Sequence, residues 1–356
     1  MAVQIIADRR TEFSDNAIPK NNENRYQKKS LYYVLATEQF PPPDLVDYGA
    51  AVEKAGFDGV WASDHFQPWQ SNQGHAGAAW AVLAALSQRS SRIKFGTGVT
   101  CPTFRYTPGV VAQVWASLSL LAPDRVFLGV GSGENLNEGA SGGGWAPFEE
   151  RATRLIESVN IIRSLWTGDH VNFKGKFWQV DARLYDPPSS RIPLYIAAGG
   201  MKSARLAGLY GDGLVTGAPT LRKNKRLIEE WERGVVESGR DRRSQAILVE
   251  HWAAFGEKED EAMRSVANKW RFVPNAWKSG YFDSMVPEEI QASAEKDIPL
   301  EKVLDDWVVS RDPRVHSKAI QELYDLGATH VVVHSAAENQ RGAIDFFGRE
   351  VISRFS

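Results

Sequence analysis

Residues 193–216 read PLYIAAGGMKSARLAGLYGDGLVT, and this stretch contains the unit from which the fold is built. An apolar run, Pro193–Ala197, is followed by two glycines, a helical pattern over Ser203–Tyr210 and a second apolar run, Gly213–Thr216. Strands that are apolar on both faces and are joined by a helix are typical of a parallel sheet covered by helices.

The same unit recurs along the chain from residue 31. Eight apolar runs are predicted strands, with centres at Leu31, Gly59, Ile93, Val126, Leu194, Gly213, Ile247 and Val331. Eight such units close into a (β/α)8 TIM barrel more readily than they form an open doubly wound sheet, which remains the alternative. Residues 170–180 alternate and predict a surface hairpin, whereas residues 267–306 fit no such unit and predict an inserted helical lid. We expect a flexible arm over residues 1–30 and a single barrel domain over residues 31–356.

The composition limits the classes of function. The 356 residues are 43% hydrophobic and 24% charged, with a formal net charge of −2, and no basic stripe suggests nucleic-acid binding. The single cysteine, Cys101, cannot form an intramolecular disulfide. No apolar stretch approaches the ~20 residues of a membrane span. Because no apolar region of an export signal follows Arg9-Arg10, we expect a cytoplasmic protein.

Chemistry-bearing residues follow four of the predicted strands, at the barrel end where active sites lie. These stretches are SDH at 63–65 with Trp69 beyond, GVTCP at 98–102, GSGE at 131–134 and AGGM at 198–201. His65 beside Asp64 is suited to acid–base catalysis. Each stretch also has a plain structural interpretation: a bonded histidine, a core tryptophan, a helix-capping Glu134 and a tight glycine turn. Bare N–H groups at Gly199-Gly200 can equally bind an anion.

Familiar nucleotide and metal motifs are incomplete in this chain. In GVGSGE at 129–134, Glu134 replaces the third glycine of G-x-G-x-x-G, and GGMKS at 199–203 lacks the G-K-S order of a phosphate loop. His330 and His334 flank a strand with no thiolate or carboxylate at metal-ligand spacing along the sequence. Neither H-E-x-x-H nor G-x-S-x-G occurs, so we expect no bound metal and no serine hydrolase.

Four stretches together resemble the luciferase-like superfamily and, within it, the coenzyme F420-dependent dehydrogenases. They are SDHFQPW at 63–69, TFRY at 103–106, RVFLGVGSGE at 125–134 with Asn137-Glu138, and YIAAGG at 195–200. The resemblance runs from about Tyr32 to the C-terminus. Residues 96–102 and 299–304 are closer to the hydroxymycolic acid dehydrogenases of this group than to its glucose-6-phosphate dehydrogenases. The resemblance implies a barrel, a homodimer, a small-molecule alcohol substrate, and coenzyme F420 in the barrel mouth.

The resemblance also implies a role for each site residue. His65 would take the proton of the substrate hydroxyl while hydride leaves for C5 of the deazaflavin, and Glu134 would lie near ring N1. Trp69 would orient the substrate, and Asp64 would bind the cofactor and position His65. The other implied cofactor contacts are Gly98, Val99 (joined by a cis peptide), Cys101, Gly131, Ser132, Gly133, Asn137, Ala198, Gly199, Gly200 and Met201. The implied substrate contacts are Glu38, Trp69, Thr220 and Asp306.

Two departures from the glucose-6-phosphate dehydrogenases bear on the substrate. Thr220 and Asp306 occupy positions where those enzymes carry a lysine and an arginine that clamp the phosphate. An anion at ~4 Å from a second anion costs ~1 kcal/mol even in water. The sequence therefore predicts a secondary alcohol or hemiacetal without a phosphate. The alternatives are a glucose-6-phosphate dehydrogenase with a rearranged clamp, a flavin mononucleotide monooxygenase, or a non-catalytic flavin-binding protein.

Overall fold

The computed structural model describes residues 29–256, 258–276 and 279–355, so most of the predicted arm lies outside the described residues. The strands are β1 (Ser30–Leu35), β2 (Gly59–Ala62), β3 (Lys94–Thr97), β4 (Leu128–Val130), β5 (Val171–Lys174), β6 (Gln179–Ala182), β7 (Leu194–Ala197), β8 (Gly213–Gly217), β9 (Ala246–Ala254), β10 (Val308–Val309) and β11 (His330–Ser335). The helices are α1 (Pro42–Lys54), α2 (Ala79–Arg89), α3 (Pro108–Leu121), α4 (Asn135–Glu138), α5 (Phe148–Leu165), α6 (Met201–Tyr210), α7 (Ala218–Lys223), α8 (Arg226–Glu237), α9 (Glu259–Lys269), α10 (Ser279–Phe282), α11 (Pro287–Asp297), α12 (Leu300–Leu304), α13 (Pro313–Asp325) and α14 (Gln340–Phe346).

Eight parallel strands form a nearly closed barrel, which confirms the predicted fold class. The strand order is β3-β2-β1-β11-β9-β8-β7-β4, and β10 adds to β9 outside this path. Single parallel bridges, Phe95 to Val126 and Thr100 to Val130, join β3 to β4 and close the ring. The predicted hairpin is present as the antiparallel pair β5–β6.

Side chains alternate between two cores along each strand. One set, which includes Val60, Leu128 and Val249, packs outward against the surrounding helices. The other set, which includes Trp61, Phe127 and Leu248, fills the barrel interior and continues under the helices between β9 and β10. Alternate side chains of a strand point to opposite faces of the sheet. Loop residues that continue the inward-facing set beyond the strand ends are therefore directed at the mouth of the barrel.

Three local features depart from the simple strand–helix unit. Residues 218–237 form two helices, α7 and α8, because Asn224 leaves the helical region with φ −133° and ψ 80°. The short strand β10 has no sequence signal beyond two valines. Helix α14 ends at Phe346 and is followed by a π-helical turn over Phe347–Val351.

Between β9 and β10 the chain forms helices α9 to α12, which lie over one side of the mouth. Gln73 and Asn72, beyond β2, donate to the carbonyl oxygens of Lys269 and Asn268 at the end of α9, at 2.9 and 2.8 Å. The division into an arm and one domain with a lid stays a prediction. No helix within the described ranges is both long and apolar enough to cross a bilayer.

Candidate active site

The loops after β1, β2 and β4 meet at the carboxyl end of the barrel and carry a continuous chain of polar contacts. His65 Nε2 lies 3.2 Å from Glu38 Oε1. On the other side of the ring, His65 Nδ1 lies 3.1 Å from Asn137 Nδ2. The same Asn137 nitrogen donates to Glu134 Oε2 at 3.1 Å. The structure therefore brings together four of the residues that the sequence singled out, from three separate strand ends.

Glu38 anchors one end of this chain beneath the surface. Its side chain is 4% exposed, and Oε2 accepts a hydrogen bond of 2.5 Å from Ser63 Oγ. Ser63 in turn accepts from the backbone N–H of Thr37 at 3.0 Å. A buried carboxylate needs such partners because an unpaired charge away from water is costly. The imidazole of His65 is 13% exposed, so it is the member of the Glu38–His65 pair that can meet a ligand.

Asp64 is the buried centre of the loop after β2. Its Oδ2 accepts from Thr100 Oγ1 at 2.6 Å and Trp80 Nε1 at 3.0 Å. Its Oδ1 accepts from Arg105 Nη2 at 2.8 Å and Tyr106 OH at 3.3 Å. These donors fill the four acceptor positions of a carboxylate. The arrangement fixes Asp64 in the loop that carries His65, and its roles toward His65 and the cofactor stay predictions.

Trp69 lies between His65 and the helices over the mouth. Its ring centroid is 5.7 Å from that of His65, and it stacks on Phe272 at 4.9 Å with an interplanar angle of 15°. Trp69 Nε1 forms no hydrogen bond with any residue that the structure describes. The indole N–H is thus a free donor next to the imidazole, although the indole as a whole is only 7% exposed.

The loop from Gly131 to Glu134 is held from below by Arg151. The guanidinium of Arg151 donates to Ser132 Oγ at 3.2 Å and to the carbonyl oxygen of Gly133 at 3.0 Å, while its carbon lies 4.1 Å from the ring centroid of Trp145. Sequence reasoning missed this arginine because it lies within α5, away from any strand end.

Glu138 is a second buried carboxyl group behind this loop. Its Oε2 accepts from the backbone N–H of Arg105 at 2.8 Å and of Phe104 at 3.2 Å, whereas Oε1 is buried without a partner among the described residues. Burial raises the pKa of the Glu138 carboxyl to about 7. Burial also raises the pKa of the neighbouring Cys101 thiol, so Cys101 is a neutral wall of the site.

The other predicted cofactor contacts include the Gly98–Val99 peptide and the glycines at 131 and 199–200. The Gly98–Val99 peptide is cis, as the resemblance implied. A Cβ on Gly131 would come within 2.7 Å of Val99 Cγ2, so glycine permits this close packing. Across the mouth, Gly199 and Gly200 are exposed, and a Cβ on either would meet no atom within 4 Å.

These features fit a planar, phosphate-tailed cofactor. The half-buried side chain of Val99, packed on the buried Gly131, offers an apolar surface that suits the face of a ring. At the start of α6, Gly200 is the N-cap, its own N–H donates to Ser203 Oγ at 3.3 Å, and Met201 is 44% exposed. The N–H groups of the first turn of this helix suit an anion.

At the positions compared with the phosphate clamp, the structure adds a contact that the sequence did not show. Thr220 lies on α7, as counted, but Asp306 does not stand as an uncompensated anion, because Lys223 Nζ lies 2.8 Å from its Oδ1. Lys223 is one turn beyond Thr220 on the same helix. Sequence counting compared single positions and missed it, because only the fold brings α7 beside Asp306.

A second imidazole–carboxylate pair lies inside the barrel. His334 Nδ1 is 2.7 Å from Glu250 Oε1, on the neighbouring strand β9. Its ring packs edge-on against Trp270 at 4.3 Å and lies 5.7 Å from Trp307. The sequence showed no carboxylate near His334 because the two residues are 84 positions apart. Trp307 also stacks on Trp252 at 5.9 Å, so this side of the interior is strongly aromatic.

Known proteins share both the sequence and the fold of this chain. Residues 22–330 match the family model described as luciferase-like monooxygenase. An F420-dependent hydroxymycolic acid dehydrogenase of Mycobacterium tuberculosis is 43% identical over 320 residues, covering 90% of this chain and 86% of that protein. An F420-dependent glucose-6-phosphate dehydrogenase of Tsukamurella paurometabola is 39% identical over 337 residues, covering 92% and 98%. The solved structure of an F420-dependent secondary alcohol dehydrogenase, in complex with an F420–acetone adduct, is similar at a TM-score of 0.85 and 31% identity, covering 92% and 99%.

Proposed function

This chain belongs to the luciferase-like monooxygenase family, among its F420-dependent dehydrogenases, and from that premise we propose that it oxidises an uncharged secondary alcohol or hemiacetal with coenzyme F420. The observation that carries the proposal is that neither clamp position offers a free cation: Asp306 is paired with Lys223 at 2.8 Å, and Thr220 is uncharged.

Residues at the mouth are suited both to removing the hydroxyl proton and to binding the alcohol. His65 is the accessible base, and Glu38 beside Nε2 stabilises the charge that the ring acquires when it takes the hydroxyl proton. The free indole N–H of Trp69 can donate to the substrate oxygen and orient it. The aromatic stack of Trp69 and Phe272 excludes water from the reacting carbon.

Coenzyme F420 would be held by the backbone of residues 98–99 and 131–133 and by the start of α6, and when bound it supplies a two-electron hydride acceptor. Glu134 ends the chain from His65 on the side of the glycine loop, where its carboxylate suits a position near the ring. Asn137 holds both groups in their relative positions, since it contacts each of them at 3.1 Å.

The charges at the distal end of the mouth favour a neutral substrate. A phosphate dianion is recognised by cations whose donors are free to turn toward it. Here the ammonium of Lys223 already donates to Asp306 at 2.8 Å, so the two charges cancel. The aromatic side chains of Trp252, Trp270 and Trp307 supply apolar surface for the carbon skeleton of an alcohol.

A glucose-6-phosphate dehydrogenase is the second candidate, and Lys223 is the observation that favours it. The lysine side chain is 70% exposed, and an exposed ion pair is worth only about 0–1 kcal/mol, so Lys223 can exchange Asp306 for a phosphate at low cost. Loss of Lys223 would then weaken the binding of a sugar phosphate but leave that of a neutral alcohol unchanged.

The two candidates are separated by one experiment. Purified protein is mixed with oxidised F420 and a panel of aliphatic secondary alcohols, sugars and sugar 6-phosphates, and loss of the visible absorbance of the coenzyme is followed. We expect turnover with uncharged donors and a kcat/KM for them that is unchanged in Lys223→Ala. Efficient turnover of glucose 6-phosphate that is lost in Lys223→Ala would overturn the proposal in favour of the second candidate.

A control variant tests the role of His65. His65→Ala should nearly abolish turnover, by about 10²- to 10⁴-fold, because it removes the base. Titration with F420 should still show binding, since most of the predicted cofactor contacts lie on other loops. We also expect a homodimer in the cytoplasm, and size-exclusion chromatography with light scattering tests the oligomeric state.

A further inference from the structure

We propose that Asn137 is a positioning residue that sets the protonation state of His65: a neutral imidazole with its proton on Nε2 and a lone pair on Nδ1. The inference concerns the free protein, and it stands or falls independently of which alcohol is the substrate. It rests on contacts that Asn137 makes with three different loop groups, and it gives the base a single starting state.

The orientation of the Asn137 amide is determined by the backbone. The N–H of Phe66 donates to Asn137 Oδ1 at 2.8 Å, so the oxygen of the amide faces Phe66. The nitrogen must then face the other way, toward Glu134 Oε2 and His65 Nδ1, each at 3.1 Å. An amide NH₂ has two N–H bonds and no acceptor. One bond serves Glu134, and the other serves His65.

Two side chains face the imidazole of His65 from opposite sides, and the amide of Asn137 selects the tautomer. Because Asn137 donates to Nδ1, that nitrogen carries no proton. A neutral imidazole has one donor and one acceptor nitrogen, so its proton lies on Nε2, which is 3.2 Å from the carboxylate oxygen Glu38 Oε1. A second proton on Nδ1 would face an N–H bond of Asn137.

The loop that carries Asn137 is itself tied to the loop that carries His65. Gln67 Nε2 donates to the carbonyl oxygen of Leu136 at 3.2 Å and to that of Met285 at 2.9 Å. Together with the contact of Phe66, these bonds hold the Asn137 amide against the His65 imidazole. Asn137 thus cannot turn over without breaking several hydrogen bonds, and the tautomer persists.

The test uses the free protein labelled with ¹⁵N-histidine. Two-dimensional ¹H–¹⁵N spectra distinguish the two neutral tautomers and the imidazolium by the shifts of the ring nitrogens, and His65→Gln identifies the signals of His65. We expect wild-type His65 at neutral pH to have a protonated Nε2 and a bare Nδ1. A proton on Nδ1, in either the other tautomer or an imidazolium, would overturn the proposal.

Two variants show whether Asn137 is the cause. Asn137→Asp replaces the N–H donor with an acceptor but keeps the oxygen for Phe66, so a proton should appear on Nδ1. Asn137→Ala removes the donor, so the signals should no longer show Nδ1 bare in all molecules. In either variant kcat should fall about 10²-fold with KM changed much less, since the base is lost rather than the binding surface.

The matched control is Asn135→Asp. Asn135 lies two residues earlier in the same short helix and donates to the carbonyl oxygen of Asp283 at 2.6 Å. The His65 signals should remain those of the wild type in this variant. Wild-type His65 signals in both Asn137 variants, or an equal change in Asn135→Asp, would show that Asn137 does not set the state of the ring.

Discussion

Asp64 offers the sharpest test of how the site is held together. Asp64→Asn keeps the shape of the side chain but removes the charge that faces Arg105 at 2.8 Å. In this pair the side chains of Arg105 and Asp64 are only 8% and 1% exposed, so the arginine would be left charged and unpaired away from water. We expect Asp64→Asn to lower the free energy of unfolding by about 3–5 kcal/mol, the cost of breaking a buried ion pair from one side.

Asp47→Asn is the matched control, because Asp47 pairs with Arg89 at 3.1 Å but both side chains are about half exposed, at 48% and 61%. Exposed pairs contribute about 0–1 kcal/mol, so this variant should unfold almost as the wild type does. Urea titration followed by tryptophan fluorescence measures both. Equal losses in the two variants, or a loss below about 1 kcal/mol for Asp64→Asn, would refute the argument that burial sets the strength of the Asp64–Arg105 pair.

Three further outcomes follow from single contacts. Trp69→Phe keeps the stack on Phe272 but loses the free indole N–H, so kcat should fall about tenfold with little change in the urea midpoint; an unchanged kcat would exclude a donor role. Burial raises the pKa of Glu138 from 4.5 to about 7, so the folded protein binds the extra proton between these values. Stability should therefore fall as the pH rises from 4.5 to 7, and Glu138→Gln should flatten that part of the curve measured by thermal unfolding. The double variant Thr220→Lys with Asp306→Arg should raise kcat/KM for glucose 6-phosphate, because it places free cations at the clamp positions; no gain would show that the clamp needs more than these two charges.

The strand-end residues could be found from the sequence because they follow from position alone. Parallel strands of a barrel all end at the same face, so His65 and Glu134 had to share one mouth once eight strands were recognised, whereas Glu38 was named only through the resemblance. The hairpin over residues 170–180 was likewise predictable, because apolar and polar side chains alternate there.

Contacts between loops were not predictable, since they depend on distances that no local pattern records. Lys223 reaches Asp306 across 83 residues of sequence, and it changes the charge balance that Asp306 alone suggested. The break between α7 and α8, which ends α7 at Lys223, was hidden because the helical pattern continues through it.

The sequence by itself determined the parallel barrel and the face at which the strand-end residues lie, because these follow from apolar periodicity and from which residues succeed each strand. The tertiary structure alone decided which partners those residues have: Asn137 between His65 and Glu134, Arg105 against Asp64, and Glu250 against His334. The physical reason is that hydrogen bonds and ion pairs act over about 3 Å, and only packing of the whole barrel brings separate loops within that distance.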